Sequence, residues 1–356
     1  MYFKDITIDN FRGINHLEVK EFAPINIFVG GNNIGKSSIL EAIFLLSGMS
    51  NLPLVATLNV RRGIPTLELQ DSLRCVFHNL SLEKYVSIKG STAEGIRILT
   101  LKPKFKEAKS SLLDPRTSSS AIEHQEDLLI GLRGEYGFKG QRIFKNEFSI
   151  ENDDITFAPT QDYKETTTCK FLNIVQRANE SMRDEFDKLL SLGIEGELIE
   201  YVKLFSPDIT DLVSTRTRLL ASVTGVNGRL PLTMLGDGIS KFLGVITAIL
   251  TIPKGNVAIL IDEIENGLHY TAQRKLWRIL LKVVKEKELQ LFITTHSIEA
   301  LQSLTEEIAD AGLDDDFMSL YRIAMTKLDG LQALQAYRYN AAGIRTAIEN
   351  ETELRK

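Results

Sequence analysis

The chain has 356 residues, of which 43% are hydrophobic and 25% charged, and its formal net charge is −5. This length and hydrophobic content are enough for one large domain or two modest ones, while the acidic balance gives no global electrostatic argument for nucleic-acid binding. The two cysteines, Cys75 and Cys169, have no Cys or His partner at metal-ligand spacing, so neither a disulfide nor a zinc site is expected.

The N-terminal segment lacks the charged, apolar and small-residue regions that make up a secretion signal. The longest uncharged apolar run, residues 242–252, is too short to cross a bilayer and predicts a buried helix. We therefore expect a cytoplasmic protein with no membrane partner.

A strand, a glycine-rich loop and a helix follow one another near the N-terminus. Residues 2–9 alternate around two isoleucines, and residues 25–29 form a short apolar run, so both segments predict strands. Residues 37–47 are apolar on nearly every side and predict a helix buried against a sheet. This order is the one that a phosphate-binding loop requires.

The middle of the chain is less regular. Residues 67–101 predict the short strands of a β lobe, and residues 102–120 predict an exposed loop. Residues 131–140, with a glycine at every third position, predict a loop or a hairpin. The apolar spacing over 170–205 predicts two or three inserted helices.

The second half of the chain returns to alternating helices and strands, which predicts a mostly parallel sheet. The predicted elements are a helix over 239–252, a strand over 257–261, a helix over 271–285, a strand over 291–295, a hairpin with its turn at 326–330 and a last helix over 342–354.

The predicted fold class is therefore α/β: a mixed, mostly parallel sheet flanked by helices, with an antiparallel β lobe and a helical insertion. Residues 1–101 would form the N-terminal half of this head and residues 231–356 its C-terminal half. Residues 102–230 would form the loop and the helical insertion between them.

Residues 30–37 match the phosphate-binding pattern GxxxxGK[ST], known as Walker A. Its backbone N–H groups can surround the β-phosphate, Lys36 can reach the β- and γ-oxygens, and the Ser37 hydroxyl can ligate Mg²⁺. The nucleotide-binding residues predicted here are Gly30, Gly31, Asn32, Asn33, Ile34, Gly35, Lys36, Ser37 and Ser38.

The sequence VAILIDE, residues 257–263, is the matching Walker B motif. Asp262 ends a buried strand and is predicted to hold Mg²⁺ directly or through water. Glu263 follows it and is predicted to polarise the attacking water as a general base. His296 ends the next strand, where ligands bind in open α/β sheets, and is predicted to contact the γ-phosphate or the water.

Five segments together resemble the ABC-type ATPase heads of the RecF/SMC kind, and most closely the OLD-like ATPases. These segments are NFRG (10–13), GGNNIGKSS (30–38), LGDGIS (235–240), ILIDEIENGLH (259–269) and ITTHS (293–297). The resemblance implies ATP as the nucleotide, and a form of the family that lacks the Toprim nuclease domain.

The resemblance also assigns roles to residues outside the Walker motifs. The signature loop, Leu235, Gly236, Asp237 and Gly238, would bind the γ-phosphate of a nucleotide held by a second subunit. Residues 265–269 match the family's D-loop region, and Arg12 matches an arginine that would contact phosphate or the dimer partner. Two heads would then enclose two ATP molecules, so that neither site is complete in a monomer.

Two other motifs favour simpler interpretations. Residues 326–329, TKLD, resemble the guanine-reading element of GTPases, but they lie between two alternating stretches and predict a hairpin turn. Residues 314–316, three aspartates, resemble the DxD of a Toprim nuclease, but they lack a preceding acidic strand and predict a solvated loop.

From these features we expect an ATP-hydrolysing homodimer, or an assembly of dimers, that senses or regulates on behalf of a separate effector. The effector would be a nuclease or a toxin, in the manner of bacterial anti-phage systems. A RecF-like DNA repair ATPase, which would bind DNA, is the first alternative. The ATP-binding subunit of a transporter is the second, and the NFRG and GDG segments speak against it.

Overall fold

The computed structural model describes residues 3–65, 68–106, 128–151, 154–159, 162–172, 179–255, 257–328, 331–350 and 353–354. The chain forms two compact units, each built from separated stretches. The first unit comprises Met1–Asp5, Val19–Leu40 and Thr167–Lys356, and the second comprises Ile6–Glu18 and Glu41–Thr166. The compact units are thus interleaved along the chain instead of following one another.

The helices and strands are numbered in chain order. The strands are β1 (Asp5–Phe11), β2 (Ile14–Lys20), β3 (Ile25–Gly30), β4 (Val86–Thr92), β5 (Gly95–Phe105), β6 (Leu129–Phe138), β7 (Ile143–Glu151), β8 (Asp154–Ala158), β9 (Thr168–Leu172), β10 (Ile209–Ser214), β11 (Leu219–Val223), β12 (Arg229–Pro231), β13 (Val257–Ile261), β14 (Gln290–Thr294), β15 (Met318–Leu328) and β16 (Leu331–Tyr339). The helices are α1 (Lys36–Ser47), α2 (Leu54–Arg61), α3 (Leu69–Ser72), α4 (Asn179–Leu192), α5 (Glu195–Phe205), α6 (Asp237–Leu250), α7 (Tyr270–Lys287), α8 (Ile298–Asp310) and α9 (Ala341–Glu349).

The first unit contains the parallel sheet, with strand order β16-β15-β3-β14-β13-β9. The pairs from β15 to β9 are parallel, and β16 is an antiparallel edge strand. Every residue of β3, β13 and β14 is buried, which fits strands covered on both faces. The predicted mixed, mostly parallel sheet is confirmed.

The strand order decides where the motifs meet. Strands β3, β14 and β13 are consecutive neighbours and run in the same direction, so their carboxyl ends share one edge of the sheet. The phosphate loop follows β3, Walker B follows β13, and His296 follows β14. We call this edge the strand-end edge.

Helices on the first unit bury a continuous apolar core. Phe242 in α6 stacks on Phe205 in α5 with ring centroids 4.1 Å apart, and Trp277 in α7 is 1% exposed. Helices α7 and α8 are also joined by ion pairs, because the buried Glu307 accepts hydrogen bonds from Arg274 and Arg278. A small antiparallel sheet, β10-β11-β12, was not anticipated from the sequence.

The second unit contains the predicted antiparallel β lobe, in a sheet with strand order β2-β1-β4-β5-β6-β7-β8. The pairs from β1 to β8 are antiparallel. Its core includes a fully buried arginine, Arg97, whose guanidinium donates to the carbonyls of Leu46 and Ser47 and to the carboxylate of Glu165. These three acceptors compensate the loss of water around a buried charge.

Two sequence predictions of local structure were wrong, at residues 168–172 and at residues 69–80. Residues 168–172 form β9, an edge strand of the parallel sheet, although 170–205 was expected to be helical from its first residue. Residues 69–80 form helical turns where strands were expected. By contrast, residues 129–138 form β6, so the glycine-spaced stretch lies in the β6–β7 hairpin, and the hairpin alternative of its prediction is confirmed.

The other predicted elements agree with the structure to within a few residues, except that the last helix, α9, ends at Glu349 and not near residue 354. The proposed exposed loop at 102–120 begins inside β5, and its residues from 107 onward lie outside the described residues. The expected β15–β16 hairpin is present, but residues 329 and 330 of its turn lie outside the described residues as well. Within the described part of the chain, no helix is long and apolar enough to span a membrane.

Candidate nucleotide-binding and hydrolysis site

The phosphate loop leaves β3 through a glycine that no other residue can replace without strain. Gly30 has φ +147°, and a Cβ atom there would lie 2.4 Å from the carbonyl oxygen of Ile323 in β15. Gly35 has φ +102° and Asn33 φ +60°, so the loop also turns through left-handed conformations before α1 begins. Such turns direct successive backbone N–H groups inward, as an anion cradle needs.

Lys36 lies at the start of α1 with its side chain turned back over the loop. Its ammonium donates to the carbonyls of Gly30 and Gly31, both at 2.9 Å. Burial lowers the pKa of Lys36, while the nearby carboxylates of Asp262, Glu263 and Glu265 partly offset that effect. The Walker A lysine therefore lies close to the Walker B carboxylates at the strand-end edge.

Ser37 and Asp262, the predicted metal ligands, are brought together. The Ser37 hydroxyl donates to Asp262 Oδ1 at 3.2 Å, and the Thr294 hydroxyl donates to the same carboxylate oxygen. A separation of 3.2 Å is close to the edge of about 3.0 Å of an octahedron with Mg–O bonds of about 2.1 Å. Both side chains offer hard oxygen ligands, Ser37 from the first turn of α1 and Asp262 from the end of β13, so these residues fit Mg²⁺.

Hydrogen bonds fix both the backbone and the side chain of Glu263. Its N–H donates to the Thr294 hydroxyl at 2.8 Å, and its φ of +52° turns the chain sharply after β13. The Asn266 side chain donates to Glu263 Oε2 at 2.5 Å. The carboxylate of the predicted base is exposed and oriented by an amide, as activation of a water molecule requires.

His296 follows β14 with its backbone fixed. Its N–H donates to Glu265 Oε1 at 2.6 Å, and the next residue, Ser297, caps α8 by accepting from Ala300 N–H at 3.0 Å. Among the described residues, the imidazole of His296 makes no hydrogen bond, so both ring nitrogens are available to a ligand. The structure thus places this histidine at the strand-end edge, as the sequence predicted.

The signature loop, residues 235–238, packs on the segment that follows Walker B. Gly236 has φ +90° and precedes α6, whose N-terminus has no side-chain cap from the described part of the chain. The Lys241 ammonium donates to the carbonyl of Asn266, and Gly238 approaches the side chain of Leu268. The loop and the D-loop segment are therefore joined within one chain, and the uncapped N–H groups of α6 suit an anion.

Arg12 is engaged inside the second unit. Its Nε lies 2.5 Å from Glu41 Oε2, and a terminal nitrogen donates to Asn59 at 3.0 Å. Burial lowers the pKa of Arg12, and the Glu41 carboxylate acts in the opposite direction. The Arg12 side chain thus already contacts Glu41 and Asn59. Its expected contact with phosphate or with the dimer partner stays a prediction.

Four residues organise the site through contacts that the sequence did not predict, although two of them, Glu265 and Asn266, lie in the predicted D-loop segment. Thr294 bridges Asp262 to the Glu263 backbone, and Asn266 orients the Glu263 carboxylate. The other two, Glu265 and Lys241, hold the neighbouring loops, as described above. Polar residues immediately after a buried strand were the available signal, but their partners depend on strand order.

Comparison with known proteins supports the same assignment. The family model described as an AAA ATPase domain matches residues 1–118 and 99–300. An ATP/GTP phosphatase of Helicobacter pylori is 26% identical over 99% of both chains. The Septu protein PtuA of Bacillus thuringiensis is 22% identical over 89% of this chain and 77% of its own length.

A DNA replication and repair protein RecF of Streptococcus uberis is 23% identical over 86% of this chain and 96% of its own length. Among solved structures, an SMC head bound to the C-winged helix domain of ScpA covers 96% of this chain and 98% of its own, with 12% identity and a TM-score of 0.49. With the Walker residues assembled at one edge of the sheet and most of the chain matched by the family model, the chain belongs to the AAA ATPase domain family and is an ATP-hydrolysing enzyme.

Proposed function

We propose that two copies of this ATPase bind ATP and Mg²⁺ between them, each copy supplying its signature loop to the nucleotide of the other. The observation that carries the proposal is the approach of Ser37 Oγ to Asp262 Oδ1 at 3.2 Å beside the phosphate loop. Ser37, Asp262 and the phosphate loop thus lie together within one chain, which supports a complete Mg²⁺ and phosphate site in each copy. The signature loop instead packs on the D-loop segment and ends in an uncapped helix N-terminus.

In this proposal each residue at the strand-end edge has a separate task. Lys36 binds the β- and γ-phosphate oxygens, giving up its bonds to the loop carbonyls. Glu263 accepts the proton of the attacking water at a carboxylate oxygen, while Asn266 keeps that carboxylate in place. His296 contacts the γ-phosphate or the water. Mg²⁺, held by Ser37 and Asp262, supplies positive charge beside the phosphates.

The dimer is tested by trapping it before hydrolysis. Glu263→Gln removes the general base but keeps the shape of the side chain, so we expect kcat to fall by at least about 100-fold while ATP binding remains. Light scattering should then show twice the monomer mass with ATP and Mg²⁺, and the monomer mass without them. Glu306→Gln, the same change at an exposed glutamate of α8, should behave as wild type.

Two results would contradict these assignments. Hydrolysis at the wild-type rate by Glu263→Gln would remove Glu263 as the base. A monomer mass for Glu263→Gln at saturating ATP, with nucleotide binding shown by calorimetry, would remove the shared site while leaving the ATPase assignment in place.

We further propose that the ATPase regulates a separate effector, a nuclease or a toxin, in anti-phage defence. The similarity to the Septu protein PtuA supports this role. The test is purification of the tagged protein from cells that carry its native neighbouring genes, followed by mass spectrometry. A stoichiometric nuclease or toxin, together with phage resistance that Lys36→Ala abolishes, is the expected result.

A RecF-like role in DNA repair is the second candidate, and the similarity to RecF of Streptococcus uberis favours it. The net charge of −5 argues mildly against broad DNA contact. Stimulation of the ATPase by gapped or broken duplexes, but not by intact duplex, would favour this candidate. A lone dimer without a co-purifying protein would point in the same direction.

A further inference from the structure

The ends of β13 and β14 are joined by bonds that continue beyond their last sheet pair, Ile261 with Ile293. Thr294 supplies most of them: its hydroxyl bridges the Walker B aspartate and the next N–H, and its carbonyl accepts from Ile264 N–H at 3.3 Å. The outermost bond runs from His296 N–H to Glu265 Oε1 at 2.6 Å. It is the only one of these bonds that reaches the residue carrying the imidazole.

The carboxylate of Glu265 is well suited to hold that backbone. A hydrogen bond to an ionised acceptor is shorter and stronger than a neutral one, and 2.6 Å is at the short end of such distances. The second oxygen, Oε2, is buried and has no hydrogen-bond partner among the described residues. Within the described residues, the Glu265 carboxylate therefore accepts one strong hydrogen bond, and its donor is the main-chain N–H of His296.

His296 depends on its backbone for its position. Its ring makes no hydrogen bond within the described residues, so the restraints on its position that hydrogen bonds supply act through its backbone. On the C-terminal side the chain is fixed, because Ser297 N–H donates to the Thr295 hydroxyl at 3.1 Å and Ser297 caps α8. At His296 itself, the backbone is restrained by the hydrogen bond from its N–H to the Glu265 carboxylate.

We propose that Glu265 is a positioning residue that sets the location of the His296 imidazole by holding its N–H. This inference rests on the proposed contact of His296 with the γ-phosphate or the water. A displacement of about 1 Å at a reacting group can cost about 100-fold in rate, so loss of this single bond is expected to lower kcat without preventing ATP binding.

A set of substitutions at residue 265 separates the effect of side-chain length from the effect of side-chain charge. Glu265→Gln keeps an oxygen acceptor at the same distance, and we expect it to retain kcat to within about fivefold. Glu265→Asp keeps the charge but is one methylene shorter, so its carboxylate does not reach the His296 N–H. We expect kcat to fall by about 10- to 100-fold in both Glu265→Asp and Glu265→Ala, with KM within about threefold of the wild-type value. A purely electrostatic role would give the reverse order, with Asp better than Gln, and would overturn the inference.

A double-mutant cycle tests whether Glu265 acts through His296. If it does, Glu265→Ala should change kcat by less than about twofold in a His296→Ala background. Thermal melting of each variant identifies any loss of folding, and Glu265→Asp serves if the alanine variant does not fold. Multiplicative losses in the double variant would overturn the inference.

The cycle also separates this inference from the proposed function. A His296→Ala protein with wild-type kcat would remove the role of His296, and with it the role of Glu265. A His296→Ala protein with reduced kcat, beside Glu265→Ala and Glu265→Asp proteins that keep wild-type kcat, would overturn the positioning role alone.

Discussion

The strand-end edge and the signature loop belong to the same unit, but they are constructed differently. At the edge, functional side chains bind one another: Ser37 and Thr294 share the Asp262 carboxylate, and Asn266 holds Glu263. At the signature loop, none of the described side chains caps the N-terminus of α6, and Lys241 joins α6 to the D-loop segment through the carbonyl of Asn266. One half of the site is therefore held together by its own side chains, whereas the other half leaves backbone N–H groups at the start of α6 without a side-chain cap among the described residues.

The largest effect is expected where the edge meets the nucleotide. Lys36→Ala removes the ammonium that lies inside the phosphate loop, so we expect ATP affinity to fall by at least about 100-fold, since charged hydrogen bonds to phosphate are among the strongest in proteins. Calorimetric titration with ATP measures it. Lys254→Ala, which removes an exposed lysine paired with Glu288, is the control and should bind as wild type.

Mixing two inactive variants sharpens the comparison of edge and signature. Gly236→Asp places a carboxylate beside the N-terminus of α6, and Glu263→Gln removes the base, so each variant alone should be nearly inactive. If the signature loop acts on the partner's nucleotide, random pairing leaves one intact site in half of the dimers, and an equal mixture should recover about a quarter of the wild-type rate.

The same mixture should stay inactive if the signature loop serves its own chain, because no subunit then carries both intact parts. Gly236→Ala is the control for backbone strain. It meets the same φ of +90° without adding a charge, and a Cβ there has no atom within 4 Å. It should retain more activity than Gly236→Asp.

Loss of a bridging hydroxyl should have a smaller effect. Thr294→Val keeps the volume but removes the link between Asp262 and the Glu263 backbone, and we expect kcat to fall by about 10- to 100-fold, as loss of a hydrogen bond to a charged group costs about 1.5–3 kcal/mol. Thr305→Val is the matched control, because it is an equally buried threonine whose hydroxyl only donates to Gln302 O within α8. Steady-state rates that are equal for both variants would contradict the bridging role.

The smallest effect is expected far from the edge, at Glu307 between α7 and α8. Burial raises its pKa, but hydrogen bonds and charges from Arg278 and Arg274 more than offset this, so the pKa lies below its ordinary value. Its stabilisation is therefore present above the unfolded-state pKa of about 4.3 and is lost as the pH falls through the folded-state pKa. Glu307→Gln should lower the free energy of unfolding by about 1–2 kcal/mol at pH 7, with unchanged kcat.

Urea unfolding at several pH values measures this effect. The difference between wild type and Glu307→Gln should shrink as the pH is lowered below about 4. Glu306→Gln changes the neighbouring, exposed glutamate and should show a difference of less than about 0.5 kcal/mol at every pH.

The motifs at the strand-end edge were predictable because their chemistry requires particular residues at fixed positions relative to a strand. A phosphate loop must lie between a strand and a helix, and a Walker B aspartate must end an apolar strand, so local sequence was sufficient for Lys36, Ser37 and Asp262. The mostly parallel sheet followed from the alternation of helices and strands in the second half. These features depend on neighbours close in the chain.

The missed features depend on pairing between distant segments. Strand β9 has few buried residues and no regular alternation, and it is a strand because it pairs with β13. Thr294 and Glu265 acquire their roles only when β13 lies beside β14. Arg97 is buried with its charge because carbonyls of Leu46 and Ser47, about fifty positions away, accept from it. Periodicity in the sequence carries none of this information.

The close approach of Gly30 to β15 affects how inactivating variants should be interpreted. Because a Cβ at residue 30 would collide with the carbonyl of Ile323, any substitution there displaces a strand as well as the phosphate loop. A genetic screen that recovers Gly30 variants would therefore mix misfolding alleles with nucleotide-binding alleles. Gly31, whose Cβ position has no atom within 4 Å, is the place to look for alleles that separate the two phenotypes.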